Sequence, residues 1–164
     1  MADLAEALTR NTLYDTDFYE WTQEQARLLR DRRFADLDLE NLIDEVQSVG
    51  NSERREVRKR LIRLISHLLK WKYQPGRRGN SWRRTIRDQR REIDDVVAAS
   101  PSLRRRPAEW LEGCYDAARL AASDETGIDF TLFPEACPFT IEEVLDSDFL
   151  PLEPDLQATT QDRS

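Results

Sequence analysis

Three observations on this 164-residue chain predict an all-α fold. Glycine is scarce, at five residues, and β-branched runs are few, which argues against a sheet. Apolar residues recur at helical spacing, as at Leu39, Leu42, Ile43 and Val46. A denser stripe of the same period follows at Val57, Leu61, Leu64, Ile65 and Leu68. The expected architecture is a single-domain helical bundle of about five main helices plus a short C-terminal helix. The helical domain is read over 13–150, between a flexible N-terminus at 1–12 and a disordered acidic tail at 151–164.

A first helix is capped by Asp15 or Thr16 and runs to about Arg32. Its stripe is Phe18, Trp21, Ala26, Leu28 and Leu29, with Asp17 and Glu20 at the start and Arg30, Arg32 and Arg33 at the end, as the helix dipole favours. A second helix is expected from Asp38 to Val49, closed by a Gly50 C-cap. Asn51 or Ser52 then caps a third helix to Tyr73, roughly 33 Å long, which should be the central core helix. Pro75-Gly76-Arg77-Arg78-Gly79-Asn80 is a turn. A fourth helix, capped by Asn80 or Ser81, extends to about Ser100 and buries Trp82, Ile86, Ile93, Val96 and Val97. Pro101 marks a boundary, and the regular part of the fifth helix begins near Pro107 and ends by Gly127. Its face is Trp110, Leu111, Cys114, Tyr115, Ala118 and Ala121. Residues 128–138 form a compact loop, and Thr140 to Glu143 reads as a capping box opening a short helix.

Charge is divided unevenly along the chain. Residues 51–91 carry 15 Lys/Arg against 3 Asp/Glu, while the rest carries 10 against 29. A net charge of -7 therefore hides a basic centre that must face something negative: the chain's own acids, a partner protein or a nucleic acid. Residues 124–164 hold 11 acids and one Arg, so neutralising charge exists in cis. Candidate partner or phosphate contacts are Arg77, Arg78, Arg83, Arg84 and Arg87, with the Arg77-Arg78 turn the best placed. Trp71 and Trp82 fit the core period, which removes them as free stacking platforms.

At this length the chain can bury roughly 70% of its unfolded surface, so folding needs neither disulfide nor metal. Cys114 and Cys137 make no disulfide framework, and neither has a neighbouring His to activate it. The start, Met1 to Glu6, lacks the basic and apolar regions of a signal peptide. No apolar run approaches the ~20 residues of a membrane span. The chain is expected to be cytoplasmic, with no membrane partner. No CxxC, phosphate loop, dinucleotide fingerprint or serine elbow is present, and no cofactor or metal is implied.

The sole histidine, His67, offers a candidate polar site with Glu40 and Asp44. The bland reading is a half-buried imidazole bonded to an acid of the second helix. Metal chemistry is disfavoured, because Leu64 occupies the position where a helical carboxylate site needs Glu. Arg60 and His67, with six residues between, loosely resemble the Arg…His motif of helical HEPN ribonucleases. That resemblance implies a pair acting on phosphate and a 2′-hydroxyl. Leu61 departs from it, standing where that family favours a polar residue.

A wider likeness rests on Glu40-Asn41-Leu42-Ile43-Asp44-Glu45 and on His67-Leu68-Leu69-Lys70-Trp71. Ser81-Trp82, Arg90, Pro101-Ser102-Leu103, Phe133-Pro134 and Cys137-Pro138 extend it. Together, from about Leu13 to Leu150, they resemble the bacterial family catalogued as domain of unknown function twenty-nine. The resemblance implies an all-helical bundle and brings no activity, cofactor or catalytic residue. The functional reading is a non-enzymatic protein-interaction module with a basic central face. A nucleic-acid-binding protein is the alternative, a ribonuclease the weaker one, and a homodimer is open by base rate.

Overall fold

The computed structural model describes residues 13–105 and 107–153. The expected N-terminal segment 1–12 lies outside the described residues, as does all of the expected tail 151–164 except 151–153, where Pro151 is buried and Glu153 meets Arg78. Within the described residues the chain is helical without a strand, as the periodicity predicts. After a helical stretch at 13–16 come four long helices and one short one, α1 (Phe18–Arg30), α2 (Leu39–Tyr73), α3 (Asn80–Ala99), α4 (Pro107–Thr126) and α5 (Ile141–Leu145). The chain divides into two compact units, Met1–Ser52 and Glu53–Ser164, and the division falls inside α2.

The first unit is built round one acid. Asp17, not Asp15 or Thr16, caps α1, accepting the Glu20 N–H at 3.0 Å. The buried side chains of α1 are Trp21, Gln25 and Leu28, whereas Phe18 and Leu29 of the expected stripe are exposed. Gln25 is buried because its side-chain oxygen accepts the Asp38 backbone N–H at 2.9 Å. The Trp21 indole N–H donates to the Asp38 carboxylate at 3.0 Å, and the Asn41 side chain donates to the same oxygen at 2.8 Å. Asp38 thus opens α2 and anchors α1. Tyr14 donates to Glu45 at 2.6 Å and sets its ring edge-on to Trp21. Arg32 ends α1 in the left-handed region (φ 57), with the Arg33 N–H reaching back to the Leu28 carbonyl at 2.9 Å.

The expected second and third helices are one 35-residue helix. Gly50 does not cap; it stays within the helix, and no side chain or backbone crowds it. A glycine in a helix interior costs only about 1 kcal/mol, which flanking helical sequence can absorb. The Asn51 and Ser52 caps vanish for the same reason. The predicted apolar face of that region also fails to bury: Leu39, Ile43 and Val46 are each more than half exposed.

The second unit holds the main core. Leu64, Ile65, Leu68 and Leu69 of α2 are fully buried against Ile86, Ile93 and Val97 of α3 and Cys114, Tyr115 and Ala118 of α4. Trp82, Trp110 and Leu111, expected as core, pack on its margin partly buried. Neither Asn80 nor Ser81 caps α3; Gly79 occupies the cap without a side-chain bond. Pro101–Arg105 forms a 3-10 turn, and α4 opens at Pro107 as expected. Gly127 (φ 72) ends α4 in a conformation that glycine adopts at little cost. The Thr140–Glu143 capping box that opens α5 is formed.

Two buried arginines hold the C-terminal segment by its backbone. Arg90 donates to the carbonyls of Val144 (2.8 Å), Phe149 (3.0 Å), Ser147 (3.3 Å) and Glu143 (3.4 Å). Arg119 donates to the Phe133 carbonyl at 2.8 Å and lies over the Phe130 ring. Each supplies a donor to carbonyls, at the end of α5 or in irregular chain, that would otherwise lack one.

Candidate functional site

The basic centre of the sequence separates into spent and open charges. Arg60 is held by Glu56 at 2.5 Å and by Glu92 of α3. Lys70, buried, pairs with Glu125 at 2.6 Å while capping the face of the Trp82 ring. Arg58 donates to the Gly113 carbonyl at 2.8 Å. Arg78, offered by the turn as an outside contact, folds inward. Its Nε donates to the Trp71 carbonyl at 2.7 Å and its Nη1 meets Glu153 at 3.4 Å. Acids near and beyond the end of α4 therefore neutralise part of the basic centre in cis, through Glu125 and Glu153.

Arg83, Arg84 and Arg87 remain on the surface of α3. With Arg90 they line a groove of about 570 Å³ completed by Asn80, Ile86, Ser147, Asp148 and Leu150. Arg84 has no ion-pair or hydrogen-bond partner among the described residues, and Arg87 has only its neighbour Asp88 at 3.4 Å. An exposed pair of that kind contributes little. Arg83 rests over Trp71 at 5.2 Å. Arg77 is exposed but does not line the groove. Burial holds the Arg90 guanidinium below the ordinary arginine value, opposed by Asp146 and Asp148. Its donors are occupied by carbonyls, so it shapes the wall and adds charge rather than offering bonds.

The groove also receives the start of α3. Gly79 gives no side-chain acceptor to the first-turn N–H groups, and the helix dipole directs partial positive charge there. The whole arrangement suits an anion. Sequence reasoning found the arginines and missed Ser147, Asp148 and Leu150, which reach the groove from more than 50 residues later with no local signal. Trp71 is buried, with the guanidinium groups of Arg78 and Arg83 over its ring, and Trp82 lies under Lys70, so neither ring is offered for stacking.

His67 sits elsewhere in the second unit. Its Nδ1 lies 2.9 Å from the Arg63 carbonyl, which fixes the proton on that nitrogen and leaves Nε2 as an acceptor. Burial lowers its pKa, and Lys70 lowers it further, against opposing contributions from the Arg63 carbonyl and Glu125. The imidazole is neutral at pH 7. A cavity of about 350 Å³ beside it is lined by Lys59, Ile62, Arg63, Ser66, Ala121 and Glu125. Glu40 and Asp44 lie far earlier on the same helix, and neither is among the charges acting on His67. The nearby acid is Glu125 of α4. Arg60 does not line this cavity; its guanidinium is bound to Glu56 and Glu92, so the Arg…His spacing does not assemble a pair.

Cys114 is buried and Cys137 half-buried, both unpaired, and burial raises both thiols. Both are therefore poor nucleophiles. Among the described residues no cluster of His, Cys, Asp and Glu could hold a metal ion, and no helix is long and apolar enough to cross a membrane. A family model described as Domain of unknown function DUF29 matches residues 13–150. No curated protein and no solved structure matches.

Proposed function

This chain belongs to the DUF29 family, which carries no activity with it, and we propose from the geometry alone that it is a non-enzymatic protein-interaction module. Its α3 groove receives a carboxylate-rich segment of a partner protein. The observation that carries the reading is the set of Arg83, Arg84 and Arg87 around one groove, with no acid of another element paired to them among the described residues. Ile86 and Leu150 add an apolar floor that suits side chains of a peptide. The covered Trp71 and Trp82 rings disfavour a nucleic-acid strand, which needs stacking surfaces. Two unpaired cysteines are compatible with work in a reducing bacterial cytoplasm.

The test is a salt series with three probes: an Asp/Glu-rich peptide, mixed-sequence RNA and mixed-sequence DNA. Arg83→Glu/Arg84→Glu is run beside the parent chain. Peptide binding that weakens at least tenfold on charge reversal is expected. Nucleic acid bound more tightly than the peptide, with a steep salt dependence, would move the assignment to nucleic-acid binding. Failure of all three at low salt would remove the groove as a site.

A further inference from the structure

The first unit carries a second surface of opposite character. Leu39, Ile43, Val46 and Val49 of α2 are 55%, 53%, 67% and 69% exposed. Their spacing of four, three and three residues places them on one stripe, about 15 Å long, of a single helix. A surface helix normally turns such a stripe to its own core. Here it faces outward, and a contiguous apolar face of this kind marks an interaction site.

The charge beside the stripe selects the occupant. Glu40 and Asp44 follow Leu39 and Ile43 directly and stand one turn apart, a like-charge spacing that weakens a helix. Neither has a hydrogen-bond or ion-pair partner among the described residues. Residues 13–52 carry 10 acids against 4 arginines, a net of -6. A second copy docking by the same face would set -6 against -6, and an anionic membrane or nucleic acid would be repelled likewise. We propose that this stripe of α2 is a docking surface for a basic amphipathic helix of a partner protein. Its Leu or Ile residues would cover the stripe while Lys or Arg on its flanks meet Glu40 and Asp44. Helix-in-groove recognition works through such anchors at i, i+3, i+4 and i+7. The like-charge pair, unfavourable in the free protein, becomes the cation-binding edge of the complex. The inference stands apart from the α3 groove, which takes the opposite charge and belongs to the other unit.

The test uses the full chain and a fluorescent 18-residue Leu/Lys peptide of amphipathic helical design. Its controls are a Leu/Glu twin and a scrambled peptide of identical composition. Saturable binding is expected for the Leu/Lys peptide alone. It should weaken at least tenfold in Ile43→Ser/Val46→Ser and in Glu40→Lys/Asp44→Lys, and be unchanged in Arg83→Glu/Arg84→Glu. Circular dichroism identical to the parent's establishes that these exposed positions do not disturb folding. Equal binding of the scrambled or Leu/Glu peptide would overturn the proposal. So would Ser variants that bind like the parent. Sedimentation showing a dimer that Ile43→Ser/Val46→Ser dissociates would give the face to a second copy. Binding that requires deletion of residues 1–12 would give it to the chain's own N-terminus. Either result overturns the proposal.

Discussion

The two units of the chain use the same helical period to different ends. In the second unit the apolar positions of α2, from Leu61 through Leu69, are sealed at 2% exposure or less, apart from partly buried Ile62. In the first unit the same helix shows Leu39, Ile43, Val46 and Val49 to solvent. Eight of the twelve large apolar side chains exposed among the described residues lie between Phe18 and Val49. Charge divides along the same line: the first unit is acidic, and the open arginines belong to the second. Period alone therefore tells which residues share a face, and not whether the covering surface lies in the same chain.

The contrast breaks most sharply under truncation. Leu64→Ala, at a site with no exposure, should cost about 3 kcal/mol in urea denaturation. Ile43→Ala should stay within about 0.5 kcal/mol, as surface substitutions do. Comparable losses at the two positions would mean that the first unit's stripe is covered in solution.

Arg32 sharpens the comparison from the other side. It holds a left-handed conformation that glycine adopts freely, at a place where the chain turns from α1 towards Asp38. Arg32→Gly should stabilise the first unit by about 1 kcal/mol, read as slower hydrogen exchange in residues 18–30. No change in exchange would show that the guanidinium stem offsets the strain through contacts of its own.

The smallest effect is a pH dependence of the second unit on the acid side. His67 has a folded pKa below its ordinary 6.5, so the unfolded chain binds the proton more readily. Its contribution is present above about pH 6.5 and is lost as pH falls through the folded value. Glu125, lowered from 4.5 chiefly by the Lys70 hydrogen bond, adds a loss of the same sign at lower pH. His67→Gln should flatten the upper part of this acid limb and leave the lower part. An unaltered upper limb would assign it to other groups.

The fold class, the core stripe of α2, the break at Pro101 and the Thr140 capping box were legible because each rests on local spacing or local hydrogen bonding. What was not legible depends on distant partners. Gly50 reads as a stop, yet the helix on both sides carries it through. Gln25 lies outside the expected stripe of the first helix and is buried, because its oxygen accepts the Asp38 N–H. Arg78 reads as open and is taken by a carbonyl seven residues earlier and by Glu153. In the groove, Arg83, Arg84 and Arg87 were visible as a run, but the opposite wall at Ser147 to Leu150 was not.

Arg90 has a consequence for how this protein can change over evolutionary time. Its guanidinium grips four main-chain oxygens and no side chain. Main-chain oxygens are the same whatever residue bears them, so Glu143 and Ser147 can drift without loosening the grip, while position 90 cannot. A search for correlated substitutions should find an arginine with no covarying partner, joining two parts of the sequence that look independent.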